Sequence, residues 1–399
     1  MRRKRVETDL EELLSLGRYH LFMSCLMVPE IALESSNMTL MVFAGLPATI
    51  DCNGTDSTKD KCFAIKSGQC ALRTGESGFE SIALEWRLVC GDESWISLIT
   101  SLQMAGVLCG ALAFGQLSDT FGRRKVSFST CLALTIVSGA SAFSPNLTTF
   151  AVLRTMSGFF LGGLMTSTYV FFIEFLPHRH RLWMKTLLGW SPLLTVFALV
   201  AYRIGEWRKL ILAINLGAGL PTLALLWFTQ ESPRWLIQKG RAEEGKRVLK
   251  RIAVTWNQMA VTDAAIEVVV KRETGLGTAR RHRYTFWHLF ASAQLSTYSV
   301  VLAFVWFTTS IVAYGLLFNL GNLSGSVYLN LVYFGMLRWI FNIGATLVDL
   351  TVRRFGRKAM HILSMAIVLI GMAASSWATI QADASSDTPH QGPLVRLLN

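Results

Sequence analysis

Residues Gly115 to Lys125 read GQLSDTFGRRK. The stretch follows about twenty mostly apolar residues, Ser94 to Phe114, which at ~1.5 Å per residue cross a bilayer core of about 30 Å. An acid, a turn-forming Phe-Gly pair and three cations then mark an aqueous face. A weaker copy, LVDLTVRRFGRK, occupies Leu347 to Lys358, again behind a long apolar segment. Asp119 matches Asp349, and Phe121-Gly122 matches Phe355-Gly356. Two such loops at equivalent places predict two related halves.

The 399 residues are 52% hydrophobic and only 16% charged, where soluble domains carry about a quarter charged residues. A soluble chain has nowhere to hide that much apolar surface, so the composition predicts an all-α polytopic membrane protein. The net charge of +12 fits Lys and Arg held in cytosolic loops better than nucleic-acid binding, because no basic stripe falls on a polar, foldable domain.

Nine apolar segments follow one another. They are Tyr19–Phe43, Ser94–Leu117, Val126–Ser144, Phe150–Phe172, Leu182–Tyr202, Lys209–Phe228, Ser296–Leu320, Val327–Asp349 and Ala359–Ile380. The first is interrupted by Pro29, Glu30, Glu34 and Asn37. Such polar groups face a cavity or a partner helix, or lie near the outer interface. The loops after the second and fourth segments are strongly basic and those after the third and fifth are not, which places residues 1–18 in the cytosol. Residues 44–93 then lie outside. There eight acids oppose five bases, Cys52, Cys62, Cys70 and Cys90 cluster without metal-type spacing, and Asn53-Gly54-Thr55 is a glycosylation sequon at Asn53. Two disulfides of undetermined pairing are expected. Residues 229–295 form a cytosolic inter-bundle loop of short amphipathic helices, with Ser232 as an N-cap, Pro233 at the first position and Gly240 as a stop. It separates a six-helix bundle, 19–228, from a three-helix partial bundle, 296–380, and 381–399 reads as a disordered tail.

Charged residues gather at the expected cytosolic helix ends. Asp119 can pair with Arg123 or Arg124, Glu174 precedes a His-Arg cluster, and Glu231 sits near Arg234. Asp349, Arg353 and Arg357 repeat the pattern in the second half. Such clusters can hold two bundles together in one conformation and release them in another; a plain stop-transfer signal or solvated surface pairs are the simpler alternatives. Within the spans, Tyr314 and the deeply placed Arg338 are candidate cavity residues, with Arg338 attracting an anion or pairing with an acid. No Walker loop, HExxH or GxSxG is present, so an enzyme is not expected, nor a cofactor or metal.

GQLSDTFGRRK, Arg154 with Gly158, ESPRWL (Glu231–Leu236), Ala201-Tyr202-Arg203-Ile204 with Trp207-Arg208, and YGLLFNLGNLSGSVYLN (Tyr314–Asn330) together resemble the organic cation/anion/zwitterion transporters, the family 22 solute carriers of the major facilitator superfamily. The resemblance implies two six-helix bundles moving by alternating access, and uniport or exchange of small organic ions in the plasma membrane. It also implies a central cavity, for which Asn37, Trp190, Tyr314 and Arg338 are candidates. Against that twelve-helix pattern, the sequence reads as about nine helices, a complete N-terminal bundle plus an incomplete C-terminal one. It departs further at Arg338, where the family carries an acid, and at Asn342, where the anion branch carries a lysine. The alternative is a non-transporting, receptor-like or regulatory homologue, with an oligomer or partner chain covering the incomplete bundle.

Overall fold

The computed structural model describes residues 10–385, except 15, 52–70, 76, 178–179, 279–285, 324 and 353–356. The membrane part begins with α1 (Arg18–Thr39), α2 (Ser94–Phe121), α3 (Arg123–Ser141) and α4 (Leu147–Phe175). It continues with α5 (Trp190–Ile204) and α6 (Trp207–Phe228), the latter interrupted by a π-turn at Asn215–Gly219. The short α7 (Pro233–Gln238), α8 (Ala242–Lys250) and α9 (Asp263–Thr278) precede α10 (Ala293–Phe318), α11 (Val327–Thr351) and α12 (Arg357–Ser385). The chain divides into two compact units, 1–339 and 340–399.

Among the described residues, seven helical stretches are long and apolar enough to cross a membrane. The two other expected spans form the helices α1 and α3 but fall short on hydropathy, because each carries charged or hydroxylic residues. In α1 these residues are turned inward: Glu30, Glu34, Ser35, Ser36 and Asn37 are all buried. Helix α1 packs against α4, α5 and α6, so it is screened by protein rather than bathed in lipid, and its low hydropathy is tolerated. By contrast, α10 and the first unit's part of α11 expose large apolar side chains such as Phe304, Trp306, Phe307 and Tyr333. In the second unit, Ile367, Leu369 and Ile370 of α12 are likewise exposed.

The closest helix pair is α2 with α4. A Cβ added at Gly106 would overlap the Thr155 carbonyl, and one at Gly110 the Phe159 carbonyl. Reciprocally, Cβ atoms at Gly158 and Gly162 would overlap the Gln103 and Val107 carbonyls. Small residues on both helices therefore bring the two backbones into direct contact.

Beyond the end of α6, Ser232 caps α7, its hydroxyl accepting from Trp235 N at 3.3 Å. Gly240, at φ 80°, ends the turn that follows. Helices α8 and α9 pair through Leu249, Ile252, Ile266 and Val269, all buried. Their rims carry Lys250–Asp263 at 2.8 Å and Lys246–Glu267 at 3.5 Å.

Between α1 and α2, β1 (Thr49–Asp51) pairs antiparallel with β2 (Ala71–Arg73), Ile50 opposite Leu72. Cys90 is disulfide-bonded; Cys52, Cys62, Cys70 and Asn53 lie outside the described residues. The loop is tied to the α5–α6 corner by Glu80 N to Gly205 O at 2.8 Å and Trp207 N to Glu80 O at 3.2 Å. Glu85 accepts from Trp207 Nε1 at 2.8 Å and from Arg208 Nη2 at 2.5 Å. Arg208 also donates to the Ala142 and Ser144 carbonyls and lies over the Trp207 ring. Partial burial disfavours the charged Glu85 carboxylate, but the hydrogen bonds from Arg208 and Trp207 and the Arg208 charge outweigh it, so its pKa is lowered.

Two outcomes follow. Gly110→Val must push α2 off α4 and should cost about 2 kcal/mol or more, read as a lower melting temperature in detergent by size-exclusion chromatography. Because the Glu85 pKa is lowered on folding, its contribution is present above the ordinary carboxylate range and is lost as pH falls through the lowered value. Glu85→Gln should therefore flatten the acid limb of the stability profile while leaving its alkaline limb unchanged.

Candidate functional site

The opening motif folds as the end of α2, the turn at Gly122 and the start of α3. Gly122 adopts φ 113°, a conformation that favours glycine, and a Cβ there would lie 2.5 Å from Glu231 Oε2. The turn aims the first amides of α3 at Glu231. Its Oε1 accepts from Arg123 N and Arg124 N, both at 3.1 Å, and from Ser232 N at 3.0 Å. A carboxylate at the end of α6 thus caps the N-terminus of α3, where both the free N–H groups and the helix dipole favour negative charge. Burial nonetheless pushes the Glu231 carboxyl up; the three amides oppose that shift and the nearby Glu174 charge adds to it.

The Arg123 guanidinium is the centre of the ion-pair cluster. It bonds Asp119 one turn back and Glu174 of α4, the latter at 3.2 Å from both Nε and Nη2. Arg124 turns the other way and closes the open end of α6, donating to Trp227 O at 2.6 Å and Leu226 O at 3.4 Å. Trp235 of α7 donates its indole to Asp119 O at 2.9 Å. Four helices and the start of the segment that follows α6 are therefore interlocked around these eleven residues. Glu231 takes part through backbone amides rather than through a guanidinium, which charge counting did not foresee. Arg234 lies half-buried on α7. Asp349 lies near the end of α11, whereas Arg353 and the Arg357 side chain fall outside the described residues.

Deeper in the bundle, Arg154 of α4 is fully buried. Its Nη2 donates to Asn37 O at 2.7 Å and Gln103 Oε1 at 2.9 Å. Gln103 Nε2 also donates to Asn37 O at 3.0 Å, and Ser138 donates to Asn37 Oδ1 at 2.6 Å. Asn215 Nδ2 reaches Ser138 Oγ at 3.1 Å. The network draws on α1, α2, α3, α4 and α6, and the π-turn of α6 is what presents Asn215 to it. Asn37 Oδ1 is therefore engaged between helices, while its Nδ2 donates back to Leu33 O within α1 at 3.0 Å.

The other cavity candidates lie elsewhere. Trp190 opens α5, is partly buried, and donates toward Glu34. Tyr314 is half-buried on α10 and stacks on Phe318 with ring centroids 6.2 Å apart. Arg338 is exposed rather than buried: α11 turns its side chain off the packed face that carries Leu331 and Gly335. Trp190 and Asn37 thus belong to the α1 neighbourhood, whereas Tyr314 and Arg338 lie on α10 and α11. Glu34 and Glu30 are both buried against neighbouring helices. The interrupted first segment was the available signal. Glu85 and Arg208 were missed because one lies in an irregular loop and the other reads as an ordinary helix-start cation.

Residues 52–392 match the profile of the sugar (and other) transporter family. The Arabidopsis thaliana organic cation/carnitine transporter 4 is 30% identical over 92% of this chain and 71% of its own length. The Xenopus laevis solute carrier family 22 member 6-A is 29% identical over 91% and 67%. Homo sapiens organic anion transporter 3 is 31% identical over 64% and 48%, so the chain spans 48% to 71% of the length of these relatives. Among solved structures, the partially occluded inward-open xylose transporter XylE from E. coli superposes with a TM-score of 0.61 at 17% identity, covering 95% of this chain and 82% of that one. At that identity the likeness concerns the fold alone. With the all-helical membrane architecture above, the chain belongs to the sugar (and other) transporter family of the major facilitator superfamily and is a relative of the family 22 solute carriers.

Proposed function

We propose that the chain moves small organic ions across the plasma membrane by alternating access, as a uniporter or exchanger, with its N-terminus in the cytosol. The observation that carries this reading is the match along 92% of the chain to an organic cation/carnitine transporter, joined by relatives named for organic anions. Two bundles, 19–228 and 296–380, linked by 229–295, are the bodies that rock. The interlock of Asp119, Arg123, Glu174 and Glu231 is the inner fastening of the first bundle. Separating α2 or α4 from Arg123 breaks charge-assisted bonds, which lets such a cluster bias one conformation over another. Tyr314 and Arg338 supply an aromatic face and a cation suited to an anionic or zwitterionic solute.

Uptake of labelled tetraethylammonium, carnitine and p-aminohippurate into cells displaying the chain at their surface should exceed the vector control severalfold for at least one of the three. Flat uptake of all three, with surface expression verified, overturns the reading in favour of a non-transporting homologue. Arg338→Glu should move preference toward the cation; an unchanged order of competition removes Arg338 from the site. Glu231→Ala leaves the α3 amides uncapped and should cost about 1–2 kcal/mol. Glu231→Gln should cost less at neutral pH, because burial already disfavours the charged carboxylate. Equal melting temperatures for the two variants would show that the carboxyl does not act as a cap.

A further inference from the structure

Glu30 and Glu34 lie one turn apart on α1, about 18 and 24 Å along the helix from Arg18. They are 2% and 6% exposed. Burying one carboxylate without a cation is expensive, and burying two on one helix face adds their repulsion. Among the described residues no Lys or Arg acts on either group. Two ionised carboxylates one turn apart and shut away from water are so costly that the pair keeps at least one proton.

The surroundings converge on the same spot from other helices. Thr168 of α4, 1% exposed, faces Glu30, yet its hydroxyl closes no hydrogen bond of ordinary geometry. Trp190 of α5 donates toward Glu34, and Glu34 Oε1 is left with no partner. The remaining titratable and charged groups on the packed elements do not neutralise the pair. Cys131 of α3 feels both carboxyls. Arg154 of α4 is bound to Asn37 and Gln103. His20 bonds Phe175 O at 3.0 Å near the start of α1. Arg203 of α5 and Arg208 and Lys209 of α6 sit at the far ends of their helices, and Arg251 lies by the inner end of α1 near Tyr19. An unpartnered acceptor and an unpartnered hydroxyl, both more than nine-tenths buried, thus flank a carboxyl pair that already needs one proton.

We propose that Glu30 and Glu34 form an exchangeable proton site that alternates between a monoanion with one shared proton and a neutral pair with two. The second proton bonds to Glu34 Oε1 on uptake and returns to water on release, a change of one charge. The neutral pair tolerates closure of the bundle around it better than the monoanion does, so movement of solute is linked to a proton. That last step rests on the transporter reading; the site itself does not.

The test uses the full chain in phosphatidylcholine liposomes. Infrared difference spectra between acid and alkaline pH, in H₂O and D₂O, count reversibly protonated carboxyls. The wild type should show one more per chain than E30Q/E34Q, and E30Q and E34Q should each move the titration by at least a tenfold change in proton concentration. Gln keeps size and hydrogen-bonding capacity, and a size-exclusion melt checks folding. If the double variant does not fold, E34Q against wild type decides. Superimposable spectra for wild type and variants overturn the site, whatever transport shows. A luminal pH dye then reads coupling. Proton movement on adding tetraethylammonium, carnitine or p-aminohippurate, lost in E34Q, supports linkage; solute uptake with no proton movement overturns it. A pair that titrates in a chain that moves none of the three solutes upholds the proton site and counts against the transport reading instead.

Discussion

Direct backbone contact between α2 and α4 is the constraint on which the first unit depends. Gly106 and Gly110 meet Gly158 and Gly162 with no room for a side chain on either helix. In an apolar solvent, helices gain little from hiding apolar surface, so close packing and interhelix hydrogen bonds must hold them together. The glycine contact supplies the packing and also sets the rotation of α4. With Gly158 and Gly162 against α2, Arg154 and Thr168 are buried in the bundle and Glu174 meets Arg123.

Charge is handled differently at three levels of the bundle. At the inner ends, opposite charges meet in water-accessible clusters, and one carboxylate serves amides rather than a cation. At mid-depth, Arg154 is held by neutral amide oxygens with no carboxylate among the partners found for it. Nearby, two carboxyls face each other with no cation acting on them among the described residues. A single Arg–Glu pair would have satisfied both groups locally. Their separation leaves each able to respond to a visitor, at the cost of a less stable interior.

Much of this was legible in the sequence, and the limits have physical causes. The helices followed from apolar length, and the cap, first-turn Pro and stop glycine of α7 from local backbone preferences that tertiary contacts did not override. The DTFGRR loop, with its weaker copy, announced the Arg123 cluster because charge at a membrane boundary is rarely free of constraint. What composition could not give was direction. Glu30, Glu34 and Asn37 interrupt α1 whether they face lipid headgroups or a neighbour, and only packing distinguishes the two. Arg338 shows the converse: its depth in α11 is clear from the sequence, its azimuth is not. Glu85 and Arg208 pair across 123 residues of chain, a distance over which no periodicity carries information.

The anchoring of the loop between α1 and α2 has a mechanical meaning. Residues 80–85 are fixed to Gly205, Trp207 and Arg208 by main-chain and side-chain bonds, and Arg208 in turn grips the end of α3 through the Ala142 and Ser144 carbonyls. The root of the loop is thus bolted to one end of the bundle. A force applied to that root is delivered to α3 and α6 together and reaches their opposite ends, where Arg124 and Glu231 join the same two helices again. The pair behaves as a strut clamped at both of its ends.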